Sequence, residues 1–233
     1  MANQAPRWRR HLLEGATIVA SILLAFGIDA WWDAYQEGMA VERQLQTLAS
    51  DMETNRESLQ QVYARGESNL GATKKLMSLM GPQPDPITVD SLASLLDNGF
   101  NLYEAALEVA ALAGLLDGSE FGTATHPELH SLLVEYRASL EYYSASEELF
   151  FDARRDVVLH LASVMPAATV SAKTGIHGPS AFPVDVPVVL ADPELEGLLG
   201  YLAVTATFLQ VQAAALLDLT EQALAVLSPL EAS

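Results

Sequence analysis

His126 and His130, in the stretch H-P-E-L-H, have a spacing that could do chemistry. Four residues apart on a helix, two histidines share a face and could grip a divalent metal. A zinc hydrolase of the H-E-x-x-H kind needs a glutamate directly after the first histidine, and Pro127 stands there. His126 would also lie in the first turn of its helix, so metal binding is not expected. His160 and His177 stand alone and read as ordinary surface or core residues. Glu147, Glu148 and Asp152, beside Arg154 and Arg155, read as a solvated charged face with local pairs. The same three acids are the candidate face for a basic partner. Tyr136, Tyr142, Tyr143, Phe150 and Phe151 are expected to supply a core stripe rather than a cofactor box. There is no G-x-x-x-x-G-K, no G-x-G-x-x-G and no G-x-S-x-G, and Ser180 has no base suggested nearby. With no cysteine, disulfides, thiolate metal sites, c-type haem attachment and a lipoprotein anchor are excluded. The expectation is a chain that is not an enzyme and holds no cofactor and no metal.

The elements that would have to position any site are more legible. Residues 8–32 read W-R-R-H-L-L-E-G-A-T-I-V-A-S-I-L-L-A-F-G-I-D-A-W-W. The apolar part, residues 12–30, would span roughly 28 Å at ~1.5 Å per residue, close to a bilayer's hydrocarbon core of ~30 Å. Trp8, Arg9 and Arg10 at one end and Trp31 and Trp32 at the other are placed as interfacial anchors. A cleaved signal peptide is the first alternative, with small residues at Ala25 and Gly27 but a poor cleavage region. A buried core helix is the second, though flanking Trp and Arg fit it less well. The arginines before the run put the N-terminus in the cytoplasm and the rest outside, periplasmic in a bacterium. Thr17, Ser21, Ala25 and Asp29, each four apart, form a small-residue face suited to close contact with another membrane helix. Glu14, early in the span, has Arg10 four residues before it as a partner.

Charge bounds the partners. Net charge is −18, and the part from Asp33 onward carries nine Lys/Arg against 28 Asp/Glu, or −19. Such a surface repels nucleic acid and anionic headgroups and attracts a basic partner. The alternative is that the acids keep an Ala- and Leu-rich domain in solution.

After the span, Val41, Leu45, Leu48, Met52, Asn55, Leu59 and Val62 alternate four and three apart, a heptad seam in which Asn55 would fix register. The seam could pack on a second copy or on the chain's own later helices; the latter is expected, since those are apolar enough to cover it. It loses its apolar character at Gly66, Asn69 and Thr73, and residues 70–80 read as a second, short helix. Three prolines in residues 81–86 make a loop. A short helix follows over 88–97. A further helix, capped by Asn101 with Glu104, is apolar nearly all round to residue 116 and is expected at the centre of the bundle. Thr125, Pro127 and Glu128 start a long helix running to about residue 161. Residues 166–191 form a long irregular loop, with a possible short strand over 184–190. Asp192 and Pro193 open a last helix ending near residue 227.

These residues resemble a family of bacterial single-pass membrane proteins of unknown function. The resemblance rests on Asp29, Trp31, Trp32 and Asp33, where the family often has Asn-x-Trp-x-Glu, on Asp51, Met52 and Asn55, and on residues 103–116. It covers about half the chain and implies topology, with no activity.

The fold expected is all-α: a short cytoplasmic N-terminus (1–11), a single transmembrane helix (12–32), and a periplasmic helical bundle (33–233). The expected role is an accessory or scaffold subunit of a larger membrane complex in the bacterial inner membrane, with an energy-transducing photosynthetic reaction-centre or respiratory assembly as a possible host. The expected contacts are the lipid bilayer and other membrane-protein subunits, with self-association possible. The alternative is an anchored periplasmic ligand-binding or sensory module using the 166–191 loop.

Overall fold

A computed structural model describes residues 7–100, 105–117, 127–166, 169 and 180–231. All regular structure among them is helical. The elements are α1 (Arg7–Met77), α2 (Val89–Phe100), α3 (Ala110–Asp117), α4 (Pro127–Val164), α5 (Val186–Leu190) and α6 (Pro193–Glu231).

The heptad seam of α1 packs within the chain. Leu45, Leu48, Met52, Asn55, Leu59 and Val62 are all buried. The helix does not end where the apolar character fades: α1 is one helix of 71 residues, about 105 Å long at 1.5 Å per residue. The seam keeps its three-and-four spacing through Gly66, Asn69, Thr73 and Leu76. The last three of these are buried. Small and polar residues serve there because neighbours come close. A Cβ on Gly66 would lie 2.9 Å from Gln210 Nε2, and a Cβ on Gly99 would lie 3.1 Å from Thr73 Oγ1. The helix read separately over 70–80 is therefore the end of α1.

Three long helices make the bundle. The contacts of α6 fix its direction: Gly200 faces Met77, Gln210 faces Gly66, Asp192 meets His160, and Thr220 meets Tyr136. Hence α6 runs antiparallel to both α1 and α4. In α4 the buried residues Tyr136, Tyr143, Phe150 and Val157 recur every seven positions, so the aromatic stretch is mainly core. Tyr142 is the exception, being exposed.

Short elements close the distal end. Thr88 Oγ1 accepts from the Ser91 amide at 3.1 Å and caps α2. Gly81 has φ +148°, where a side chain would be strained, and its amide donates to the Leu190 carbonyl at 3.0 Å. Asp185 caps α5 through Val188 at 3.3 Å. Residues 184–190, read as a possible strand inside a loop of 166–191, are instead helical over 186–190. The cap and Pro187 in the first turn explain the difference.

The segment expected as the central apolar helix is different. Residues 105–109 have no regular secondary structure, and helix begins only at Ala110. On α3 only Leu112 and Leu115 are buried, so this element lies at the margin of the bundle. Asn101 and Glu104, expected as its capping box, lie outside the described residues. Asn55 holds the backbone of this non-helical part. Its Oδ1 accepts from the Glu108 amide at 2.7 Å, and its Nδ2 donates to the Glu108 carbonyl at 2.8 Å. Backbone groups held this way are withdrawn from a helical ladder.

Truncating Asn55 would orphan backbone and hydroxyl partners, at a penalty of roughly 1–3 kcal/mol for a buried group. Asn55→Ala is therefore expected to lower stability by about 2 kcal/mol and to speed hydrogen exchange at the Glu108 amide by tenfold or more. Unchanged exchange at that amide would mean the side chain does not hold the segment.

Candidate interaction surfaces

The described part of α1 before the bundle has no covering. Every residue from Val19 to Asp33 is exposed, and the first buried seam residue is Leu45. Ile22, Leu23, Leu24, Phe26 and Ile28 point in all directions around the helix, each at least half exposed. Neither Gly27 nor Gly38 has a neighbouring heavy atom within 4 Å of a built Cβ. Of the expected contact face, Ser21, Ala25 and Asp29 are exposed on this shaft. Thr17 lies on the α1 backbone with its side chain outside the description, as do Trp8, Arg9 and Arg10.

Trp31 and Trp32 are joined by a third aromatic that sequence reading gave no role. Tyr35 stacks on Trp31, with ring centroids 6.0 Å apart and planes 24° apart, and lies 6.0 Å from Trp32. All three rings are half exposed or more. The spacing i, i+4 that brings Trp31 and Tyr35 together was available in the sequence. Such rings, apolar in body and polar at the tip, suit a boundary between lipid and water.

The acidic trio divides. Glu148 and Asp152 are exposed one turn apart on α4. Asp152 pairs with Arg155 at 2.8 Å. Glu147 is half-buried and accepts from the Tyr143 hydroxyl at 3.2 Å, so it points toward the core side. Arg154 is half-buried, and burial pulls its pKa below the usual guanidinium value. His130 is half-buried, while His126 and His177 lie outside the described residues. Among the described residues no cluster of three His, Cys, Asp or Glu is placed to hold a metal. The cavity beside Gly66 and Gln210 has a volume of only about 30 Å³, enough for a water molecule and too small for a ligand.

Two polar clusters escaped sequence reading. The first is fully buried: Asn55, Tyr136 and Thr220 meet at the centre of the bundle. Asn55 Nδ2 lies 3.2 Å from the Tyr136 hydroxyl. Burial raises the Tyr136 pKa, against the opposing hydrogen bonds from Thr220 and Asn55. The hydroxyl is thereby a neutral structural group. The partners are 81 residues apart, so no local pattern announces them.

The second cluster ties α4 to α6 at the distal end. His160 Nε2 lies 2.8 Å from Asp192 Oδ2, and its Nδ1 lies 3.6 Å from Glu194 Oε1. Asp192 Oδ1 also accepts from the Glu194 and Leu195 amides at 2.9 and 3.2 Å. One carboxylate thus caps α6 and holds α4. A histidine and an aspartate so arranged can orient a nucleophile, but Ser163, nearby in sequence, gives its hydroxyl to the His160 carbonyl at 2.6 Å. The pair reads as a structural tie.

The chain matches no protein-family model, and no curated protein or solved structure is significantly similar to it.

The hydrogen bond to His160 is the main cause holding the Asp192 carboxyl below the usual range, with the amide bonds helping and burial opposing. A depressed folded-state pKa stabilises above the unfolded value of about 3.9 and is lost as pH falls through the folded one. Unfolding at graded pH should therefore show Asp192→Asn losing part of the acid limb below about pH 4. Asp192→Ala, which removes the cap as well, should be about 1 kcal/mol less stable than wild type at pH 7. An acid limb identical in wild type and Asp192→Asn would exclude this pairing as its source.

Proposed function

We propose that the chain is a non-catalytic accessory or scaffold subunit of a larger bacterial membrane assembly, anchored by residues 12–30 and holding its bundle on the periplasmic side. The observation that carries this reading is the bare apolar shaft of α1. A large apolar side chain left in water forfeits roughly 1.5–3 kcal/mol of burial. A helix apolar on every side, with no part of its own fold against it, needs lipid or other helices around it.

Another helix competes for the membrane. Over Pro193–Ser228, α6 is long and apolar enough to cross a bilayer. Its neighbours argue against that placement. At the same level α1 presents exposed Arg65, Glu67, Lys74 and Lys75, and α4 presents exposed Glu141, Glu148, Asp152, Arg155 and Asp156. Immersing α6 would immerse these too, at roughly 2.5–3.5 kcal/mol for each Arg, Lys or Asp near the centre. Residues 12–30 carry two acids, Glu14 and Asp29, each near an end of the run. The shaft is therefore the better span, and the apolar content of α6 belongs to the bundle and its surface.

Trp32 and Leu45 are thirteen positions apart on one helix, so the bundle would stand about 20 Å above the headgroups on a single stalk. That geometry suits a subunit that contacts partners in two places. The small-residue face of Ser21 and Ala25 would meet helices in lipid, and the bundle would meet their outer domains. With a net −19 from Asp33 onward, the bundle favours basic partners, and Glu148 and Asp152 are acids exposed to meet them. An energy-transducing complex is the host class this reading favours, as one that presents basic soluble carriers and subunits outside the membrane.

Purification of the tagged full chain from native membranes in mild detergent tests this. Integral membrane proteins should co-purify at fixed stoichiometry. Ser21→Leu and Ala25→Leu should reduce that recovery at least fivefold while the variants still resist carbonate extraction. Ile22→Leu, off the face, should behave as wild type. Recovery of the chain alone, or equal recovery for all three variants, would overturn the reading.

A further inference from the structure

Two faces of α6 are apolar, and the fold uses one of them. Leu199, Leu202, Leu209, Leu216 and Ala223 are buried in the bundle. On the opposite side Tyr201, Val204, Phe208 and Val211 are 48, 52, 62 and 58% exposed. Ala215 continues the row, also exposed. The spacing is three, four, three, four, the period at which helices pair along a seam. From residue 197 to 217 there is no Asp, Glu, Lys, Arg or His; charge resumes at Glu196 and Asp218. No described residue covers this row.

A single exposed Phe or Val needs no explanation, but an aligned row of four on one face does. Lipid does not supply one. The row is level with residues 66–77 of α1, through the Gly66–Gln210 and Met77–Gly200 contacts. On a continuous helix that is roughly 55–70 Å beyond Ala30. If residues 12–30 are the anchor, as proposed above, the row faces water.

We propose that this face of α6 is a self-association surface, occupied by the same face of a second copy with the two helices parallel and in register. Charge selects the occupant. A domain of net −19 repels its own copy except where charge is absent, and this face is free of charge over its whole length. A basic partner would be drawn to the acidic surface and would gain nothing from an uncharged strip. The seam is also self-matching. Tyr201, Phe208 and Ala215 fall in one set of layers and Val204 and Val211 in the other, as in a parallel two-stranded coil. Thr207 and Ala214, exposed beside the row, are small enough to let two helices approach. Parallel orientation rests on the anchor reading, since two chains rooted in one membrane send α6 back toward it in the same direction. Confinement to the membrane raises the effective concentration of the second copy.

The chain has no cysteine, so single cysteines report without background. Val204→Cys and Val211→Cys are introduced separately into the full chain, and native membranes are oxidised with copper–phenanthroline. Each should form a disulfide-linked homodimer at least tenfold faster than Ala138→Cys, an exposed control on α4. Adding Phe208→Glu to the Val204→Cys chain should return the rate to that of the control. Because Phe208 is exposed, this change spares the core. Rates equal to the control overturn the proposal, as does a cross-link to a different protein. Faster linking of Tyr201→Cys to Ala215→Cys than of Val204→Cys to itself overturns the parallel register. Carbonate extraction of the same membranes reads the anchor separately. Chain retained in the pellet without cross-links sinks this proposal alone, whereas chain in the supernatant sinks the anchor reading beneath it.

Discussion

The side-chain amide of Asn55 sets the register of the whole bundle. It is fully buried on α1, it holds both backbone groups of Glu108, and it reaches the Tyr136 hydroxyl on α4, which in turn meets Thr220 on α6. Four stretches of chain meet at one polar point in an otherwise apolar interior. Leucine seams alone slide with little penalty, because one Leu layer resembles the next. A buried amide with fixed partners does not slide, since any shift by one layer leaves several groups unsatisfied in a dry interior. Its contribution is to specificity of packing as much as to stability. That is the role of a polar residue at a heptad position, exercised here within a single chain.

From this point the two ends of α1 follow different rules. Beyond Asn55 the seam narrows to Gly66, Asn69 and Thr73, because Gln210 and Gly99 come close enough to exclude larger side chains. From Val19 to Asp33 every residue is exposed, and packing on the core begins with the half-buried Val41. One uninterrupted helix therefore passes from a region packed by its own chain to one that is exposed from Val19 to Asp33. No flexible linker separates them, so the orientation of the bundle follows that of the shaft.

Much of this was legible. The seam from Val41 to Val62 was visible as alternating threes and fours, and the long helices over 127–164 and 193–231 as capped apolar periods. Asn55 stood out because it is polar in an apolar register. Its partners did not, because a bond across 53 or 81 residues leaves no periodic trace. The same non-local bond explains why residues 105–109 depart from the helix expected there. Locally they have the composition of a buried helix, but Asn55 occupies both backbone groups of Glu108, and 105–109 is not helical. His160 looked isolated for a related reason. Its partner Asp192 reads as a helix cap, and the bond from that carboxylate's second oxygen to His160 spans 32 residues and leaves no local trace. On the shaft of α1 the apolar run was legible in the sequence, and the structure leaves Val19 to Asp33 exposed.

The apolar content of α6 separates into two parts with different causes. Its inner face is explained by the bundle: α6 touches both α1 and α4, and the buried positions fall where those contacts lie. The outer face has no such cause. Tyr201, Val204, Phe208 and Val211 bury little in the chain itself, and a soluble bundle gains nothing by exposing them. Elsewhere the bundle's surface follows the ordinary pattern: α1 and α4 turn Glu, Asp, Lys and Arg to the outside along the same height. A surface that is charged on two of its three long helices, with an acidic excess on α4, and uncharged over twenty-one residues of the third is not randomly mixed. The uncharged strip lies where repulsion between two such domains would be least, and its spacing is that of a helix–helix seam. Solubility accounts for the charges on α1 and α4; it cannot account for their absence on the outer face of α6.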